Sequence, residues 1–93
     1  MSEVVKGKNI MVTGATSGIG LELVRSFSSK GANLIILGKD EEKLDELYDE
    51  ISIHGGKNLI IKSDLKELDE KGAIQISDEI KKYYGNIDGL IHN

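Results

Sequence analysis

Short runs that are apolar at successive positions alternate along this chain with longer stretches that are apolar on one side only. Asn9-Ile10-Met11-Val12-Thr13, Leu34-Ile35-Ile36-Leu37 and Leu59-Ile60-Ile61 are of strand length and rich in branched residues, and Leu90-Ile91 begins a fourth such run. A strand with no polar alternation has no face for water, so it must be covered on both sides. Strands of that kind belong to parallel sheets sandwiched between helices. The intervening stretches supply the covers. Ile19, Leu23, Val24 and Phe27 share a helical face between residues 19 and 30, as do Leu44, Leu47, Tyr48 and Ile51, and then Ala73, Ile76, Ile80 and Tyr83. Gly31, Gly55-Gly56 and Gly85-Asn86 end these stretches. Asp40 reads as an N-cap followed by Glu41 and Glu42, carboxylates that suit the positive end of a helix dipole. The order βαβαβαβ predicts an α/β fold, a three-layer parallel sheet of about four strands with three helices; right-handed crossovers leave a few topologies, of which the doubly wound order 3-2-1-4 is the expected one.

Composition narrows the functions such a fold can serve here. Its 93 residues suit one domain. Twelve basic side chains against sixteen carboxylates leave a net charge of −4, so no cationic face is expected for nucleic acid. The absence of cysteine excludes a disulfide framework, a thiol nucleophile and a Cys-based zinc site. His54 and His92 are far apart with no metal-ligand spacing around them, and no metal site is expected. No apolar run approaches the ~18–20 residues of a membrane span, and residues 1–8 have no apolar signal core. A cytoplasmic protein without membrane contact is the expectation.

Thr13-Gly14-Ala15-Thr16-Ser17-Gly18-Ile19-Gly20 lies between the first strand and the first helix. Its location carries more information than its letters. A glycine-rich turn there lets backbone N–H groups come close to an anion, and the helix N-terminus adds partial positive charge. Side chains at Gly14 or Gly18 would hold phosphates away, and Gly20 lets the helix pack closely on the strand, which are the three glycine roles of a dinucleotide-binding fold. A Walker loop is excluded because no Gly-Lys-Ser/Thr follows. The sheet is therefore expected to be Rossmann-type.

With these residues in view the chain resembles the short-chain dehydrogenase/reductase family along its whole length. Gly7-Lys8, the Thr-Gly-xxx-Gly-Ile-Gly loop at 13–20, Gly31-Ala32, Glu42-Lys43-Leu44, Asp64-Leu65 and Ile87-Asp88-Gly89-Leu90-Ile91-His92-Asn93 match the family's N-terminal half in order. The ending His92-Asn93, with histidine where asparagine is commoner, is similar to the YciK-type branch of oxidoreductases. The resemblance implies a bound nicotinamide dinucleotide and hydride transfer to or from a carbonyl or alcohol. It implies that Gly14, Thr16, Ser17, Gly18, Ile19 and Gly20 surround the pyrophosphate and nearby ribose, that Asp64 accepts a hydrogen bond from the adenine amino group with Leu65 beside it, and that Asn93 lies next to the adenosine ribose.

The choice of dinucleotide is made after the second strand, where a carboxylate bonds the ribose 2′-OH of NAD and a cation favours NADP. In the family's alignment the NAD-type acid falls at Gly38, which is not acidic, and Lys39 stands where NADP-preferring members commonly carry arginine. Lysine pairs with phosphate as a point charge. Ser17 stands where many NADP-binding members have a second basic residue, and Asp40 is close by but reads as a helix cap. NADP is expected, with NAD less favoured.

The family's chemistry needs a tyrosine with a lysine four residues on, plus an orienting serine and asparagine. Tyr48, Tyr83 and Tyr84 are followed at that spacing by Ser52, Ile87 and Asp88. His54 reads as a loop histidine, and His92 as a hydrogen-bonded group at the end of a buried strand. No catalytic residue is therefore assigned, and residues 1–93 read as the N-terminal dinucleotide-binding portion of one domain. A non-catalytic binding module and an inactive remnant stay open as alternatives. The fourth strand is expected to present an apolar edge prone to self-association.

Overall fold

The four apolar runs pair as one parallel sheet in the order β3-β2-β1-β4. This computed structural model describes residues 4–63 and 69–92. In chain order the elements are β1 (Asn9–Thr13), α1 (Gly18–Ser29), β2 (Asn33–Gly38), α2 (Glu41–Ser52), β3 (Leu59–Lys62), α3 (Glu70–Tyr84) and β4 (Gly89–His92). Met11 lies opposite Ile35 on one side and Leu90 on the other, and Val12 opposite Ile36 and Ile91.

Successive residues of each strand point to opposite faces, and both faces are covered. On one, Ile10, Val12, Leu34 and Ile36 pack with Val24 of α1 and with Leu44, Leu47 and Ile51 of α2, all buried. On the other, Met11 and Leu37 line a cavity of about 210 Å³ with Ala73, Ile76 and Ile80 of α3. The result is the three-layer arrangement that two-sided strands require. Among the described residues, no helix is long and apolar enough to cross a membrane.

The amino edge of the sheet is tied by side-chain amides. Buried Asn9 donates through Nδ2 to the carbonyls of Tyr84 (3.2 Å) and Asn86 (2.9 Å), and its backbone N–H donates to Asp88 Oδ2 (2.8 Å). Asn33 Nδ2 donates to Asn9 Oδ1 (3.0 Å), while Asn58 Oδ1 accepts from Leu34 N (3.2 Å). Buried polar groups need such partners, and here the partners link three loops below the strands.

Several apolar positions expected to be covered lie at the margins. Ile19 is 73 % exposed, because the first turn of α1 projects beyond the end of β1. Tyr48 flanks a buried stripe already filled by Leu44, Leu47 and Ile51. Ala73 is exposed, and Tyr83 is 58 % exposed. The neighbouring Tyr84 turns inward instead, donating from its hydroxyl to the carbonyl of Lys57 (3.0 Å), with the Lys57 ammonium 5.0 Å from its ring. Burial pushes the Tyr84 hydroxyl above its ordinary range. On β4, Leu90 is 67 % exposed.

A bidentate bridge joins α1 to α2: Arg25 Nε and Nη2 donate to Glu50 Oε2 (2.7 Å) and Oε1 (3.1 Å). Hydrogen bonding to Arg25 holds the Glu50 carboxyl below its ordinary range. A depressed carboxyl contributes stability that is complete above its unfolded pKa and lost as pH falls through the folded one. Both side chains are nearly half exposed, so the contribution is small. Glu50→Gln is therefore expected to lower the melting temperature slightly at neutral pH, and the difference from wild type should shrink as pH falls through the lowered pKa of the folded carboxyl. Scanning calorimetry across that range measures it, and a difference that grows on acidification would contradict the assignment.

Candidate functional site

The glycine loop leaves the carboxyl end of β1 and turns at once into α1. Gly14 (φ 68°) and Gly18 (φ 59°) both adopt left-handed backbone, where an L side chain is strained. At Gly18 a Cβ would meet nothing within 4 Å, so the space in front of the loop is open. Between them Ala15 is buried, which anchors the loop against the core, and Gly20 is buried in the first turn of α1.

The three helices differ at their starts. Asp40 caps α2 by accepting from Lys43 N (3.2 Å), and Asp69 caps α3 by accepting from Gly72 N (2.8 Å); Glu41 and Glu42 lie in the first turn of α2 and Glu70 in that of α3. Ser17, at the N-cap of α1, makes no side-chain capping bond, and no acid lies in the first turn. The first-turn amides of a helix have no intrahelical acceptor. At α1 they face an open, glycine-walled space with no carboxylate in the turn to neutralise the dipole, which suits an anion.

The parallel register brings further groups to the same edge. Thr13 lies opposite both Leu37 of β2 and His92 of β4, and Gly38 opposite Lys62 of β3. Strand order reverses between β1 and β4, so the glycine loop sits at the topological switch point where ligands of open α/β sheets bind. Thr13 Oγ1 and His92 Nδ1 share a hydrogen bond of 2.7 Å across that point. His92 is exposed, not buried as expected of a strand end, because among the described residues no element packs over it.

Lys39 is exposed and directly follows β2, the strand beside β1. Behind Gly38 the space is filled: a Cβ there would stand 3.3 Å from Leu44 Cδ2. Asp40 has its Oδ1 committed to the cap, and Lys62 Nζ reaches both Glu41 Oε1 and Asp45 Oδ1 at 3.1 Å. A cleft of about 200 Å³ between α1 and α2 runs from Thr16 past Leu21 and Lys43 to the Arg25–Glu50 bridge.

Thus Gly14, Thr16, Ser17, Gly18 and Ile19 lie at the surface of one turn at the carboxyl edge, Gly20 is buried behind them, and Lys39 follows the end of the neighbouring strand. Asp64, Leu65 and Asn93, also expected at the site, lie outside the described residues. Two features at this edge escaped the sequence reading. The Thr13–His92 bond could have been anticipated from two polar residues ending adjacent parallel strands. The Lys62 pairing depends on how α2 lies over β3, for which the sequence carries no signal.

Comparison with known proteins agrees with this geometry. The family model for short chain dehydrogenase matches residues 8–93. A fatty acyl-CoA reductase of Acinetobacter baylyi is 34 % identical over 91 residues, which cover 98 % of this chain and 30 % of that protein. The oxidoreductase YciK of Escherichia coli K12 is 32 % identical over 94 residues, covering 98 % of this chain and 36 % of its own. The YciK structure superposes with a TM-score of 0.91 over all of this chain and 38 % of the other. A short chain dehydrogenase from Escherichia coli CFT073, complexed with NADPH, gives a TM-score of 0.91 at 31 % identity, covering 100 % of this chain and 39 % of that one. The chain therefore spans 30 % to 39 % of the length of these relatives.

The Asp40 cap gives a direct test of the β2–α2 connection. Asp40→Ala is expected to cost about 1 kcal/mol of folding stability. Urea denaturation measures this, and an unchanged midpoint would contradict the cap.

Proposed function

The chain belongs to the short-chain dehydrogenase family, and we propose that it forms the NADP(H)-binding N-terminal part of an oxidoreductase acting between a carbonyl and an alcohol. The observation that carries this reading is the uncapped start of α1 behind two left-handed glycines, open to solvent at the switch point. Amides there, from residues 14–20, would bind the pyrophosphate. Asp64 and Leu65 would hold the adenine, and Asn93 would lie by the adenosine ribose. When bound, the nicotinamide supplies the hydride or receives it.

The chain's own residues favour the phosphorylated dinucleotide. A ribose 2′-phosphate would meet the cation of Lys39. Gly38 offers no carboxylate, and the nearby Asp40 carboxylate is turned to its helix cap. The relative complexed with NADPH supports the same choice. None of Tyr48, Tyr83 and Tyr84 has a lysine four residues on, so the groups that move the proton would come from outside these 93 residues. The exposed edge of β4 at Leu90 is the surface through which copies of this chain would associate.

Fluorescence titration tests the assignment. NADPH is expected to bind more tightly than NADH. Gly18→Asp places a carboxylate before the amides of α1 and should weaken both by at least about tenfold, with circular dichroism confirming retained secondary structure. Tighter binding of NADH, with Lys39→Ala altering neither nucleotide, would contradict the choice of cofactor. Unaltered binding by Gly18→Asp would contradict the site.

A further inference from the structure

Four carboxylates, Asp40, Glu41, Glu42 and Asp45, lie within six residues of Lys39. A ligand bearing a 2′-phosphate at this edge would meet them as well as the lysine. Two of the four are gathered by one side chain from another strand. Lys62 ends β3 directly opposite Gly38 in the parallel ladder, about 4.8 Å away. Its Nζ lies 3.1 Å from Glu41 Oε1 and 3.1 Å from Asp45 Oδ1, across the α2–β3 side of the helix. The opposite side of α2, bearing Lys43, Glu46 and Glu50, faces α1 and the glycine loop. A third carboxylate, Asp40, accepts from the helix backbone. One ammonium thus sits among the negative charges that flank the end of β2.

We propose that Lys62 is a specificity-determining residue for the phosphorylated dinucleotide, a positioning residue that acts through Glu41 and Asp45 and does not itself touch the ligand. This rests on the NADP(H) reading above. Each bridge is exposed and contributes little to folding. Its effect on a doubly negative phosphate is different in kind, because removing the ammonium leaves two carboxylates unscreened in the first two turns of the helix that follows Lys39. Bonding to Glu41 and then to Asp45 raises the Lys62 pKa, so the charge is present at every physiological pH. The unphosphorylated dinucleotide has a hydroxyl at that position and should barely sense the change.

The test compares dissociation constants for NADPH and NADH at low ionic strength in wild type and in Lys62→Gln. NADPH binding is expected to weaken about threefold in the variant while NADH changes little, the size of one charge acting on a doubly negative group through water over about 10 Å with little screening. Lys62→Arg should retain the wild-type ratio, as should the double variant K62Q/E41Q, which keeps the net charge of the cluster. The difference should shrink in 0.5 M salt, since exposed charges are then separated by several Debye lengths, each of roughly 4 Å. Equal weakening of both nucleotides, or an unchanged ratio, would overturn the proposal and leave the functional reading intact. A wild-type chain that binds neither nucleotide would overturn both.

Discussion

β1 pairs in parallel with β2 on one side and β4 on the other, and this ladder positions everything at the candidate site. Parallel strands end at the same edge. The turn after β1, the turn after β2 and the end of β4 are therefore neighbours, although they are far apart in sequence. The ladder itself follows from burial. Ile10, Val12, Leu34 and Ile36 face α1 and α2, while Met11 and Leu37 face α3. Removing apolar surface from water on two faces favours two helical layers over a solvated sheet. Amides at the start of α1 then emerge where the strand order reverses.

The two ends of the sheet are built differently. At the amino edge, side-chain amides of Asn9, Asn33 and Asn58 satisfy backbone and one another. At the carboxyl edge, α1 starts without a capping side chain, and its glycines wall an open space. That contrast separates a region where hydrogen bonding is closed for stability from one where donors face a space able to take an anion. Around the end of β2, the charges are arranged rather than simply present: Asp40 serves its helix, and Lys62 holds Glu41 and Asp45.

Much of this was legible in the sequence. Two-sided burial writes strands as continuous apolar runs, so Asn9–Thr13 could be read residue by residue. The Asp40 cap was legible because capping is local, as was the glycine loop, whose role depends on the strand before it and the helix after it. What escaped depended on tertiary placement. Ile19 matches the helical period but sits on a turn that overhangs the sheet. Tyr83 and Tyr84 are adjacent and chemically identical, yet it is Tyr84 whose hydroxyl reaches the Lys57 carbonyl. The exposure of His92 and the reach of Lys62 depend on which elements pack above a strand end, which periodicity along one segment does not encode.

The central claim is that the backbone amides between Gly14 and Gly20 receive a diphosphate. It is tested most directly by amide chemical shifts in a nitrogen–proton correlation spectrum recorded while pyrophosphate, and then NADPH, is added. The account predicts that the largest and saturable shifts fall on the amides of residues 14–20, with those at the amino edge of the sheet around Asn9 and Asn58 and in the carboxyl half of α3 unmoved. Saturable shifts confined to another surface, or none at these amides when NADPH is bound, would contradict it.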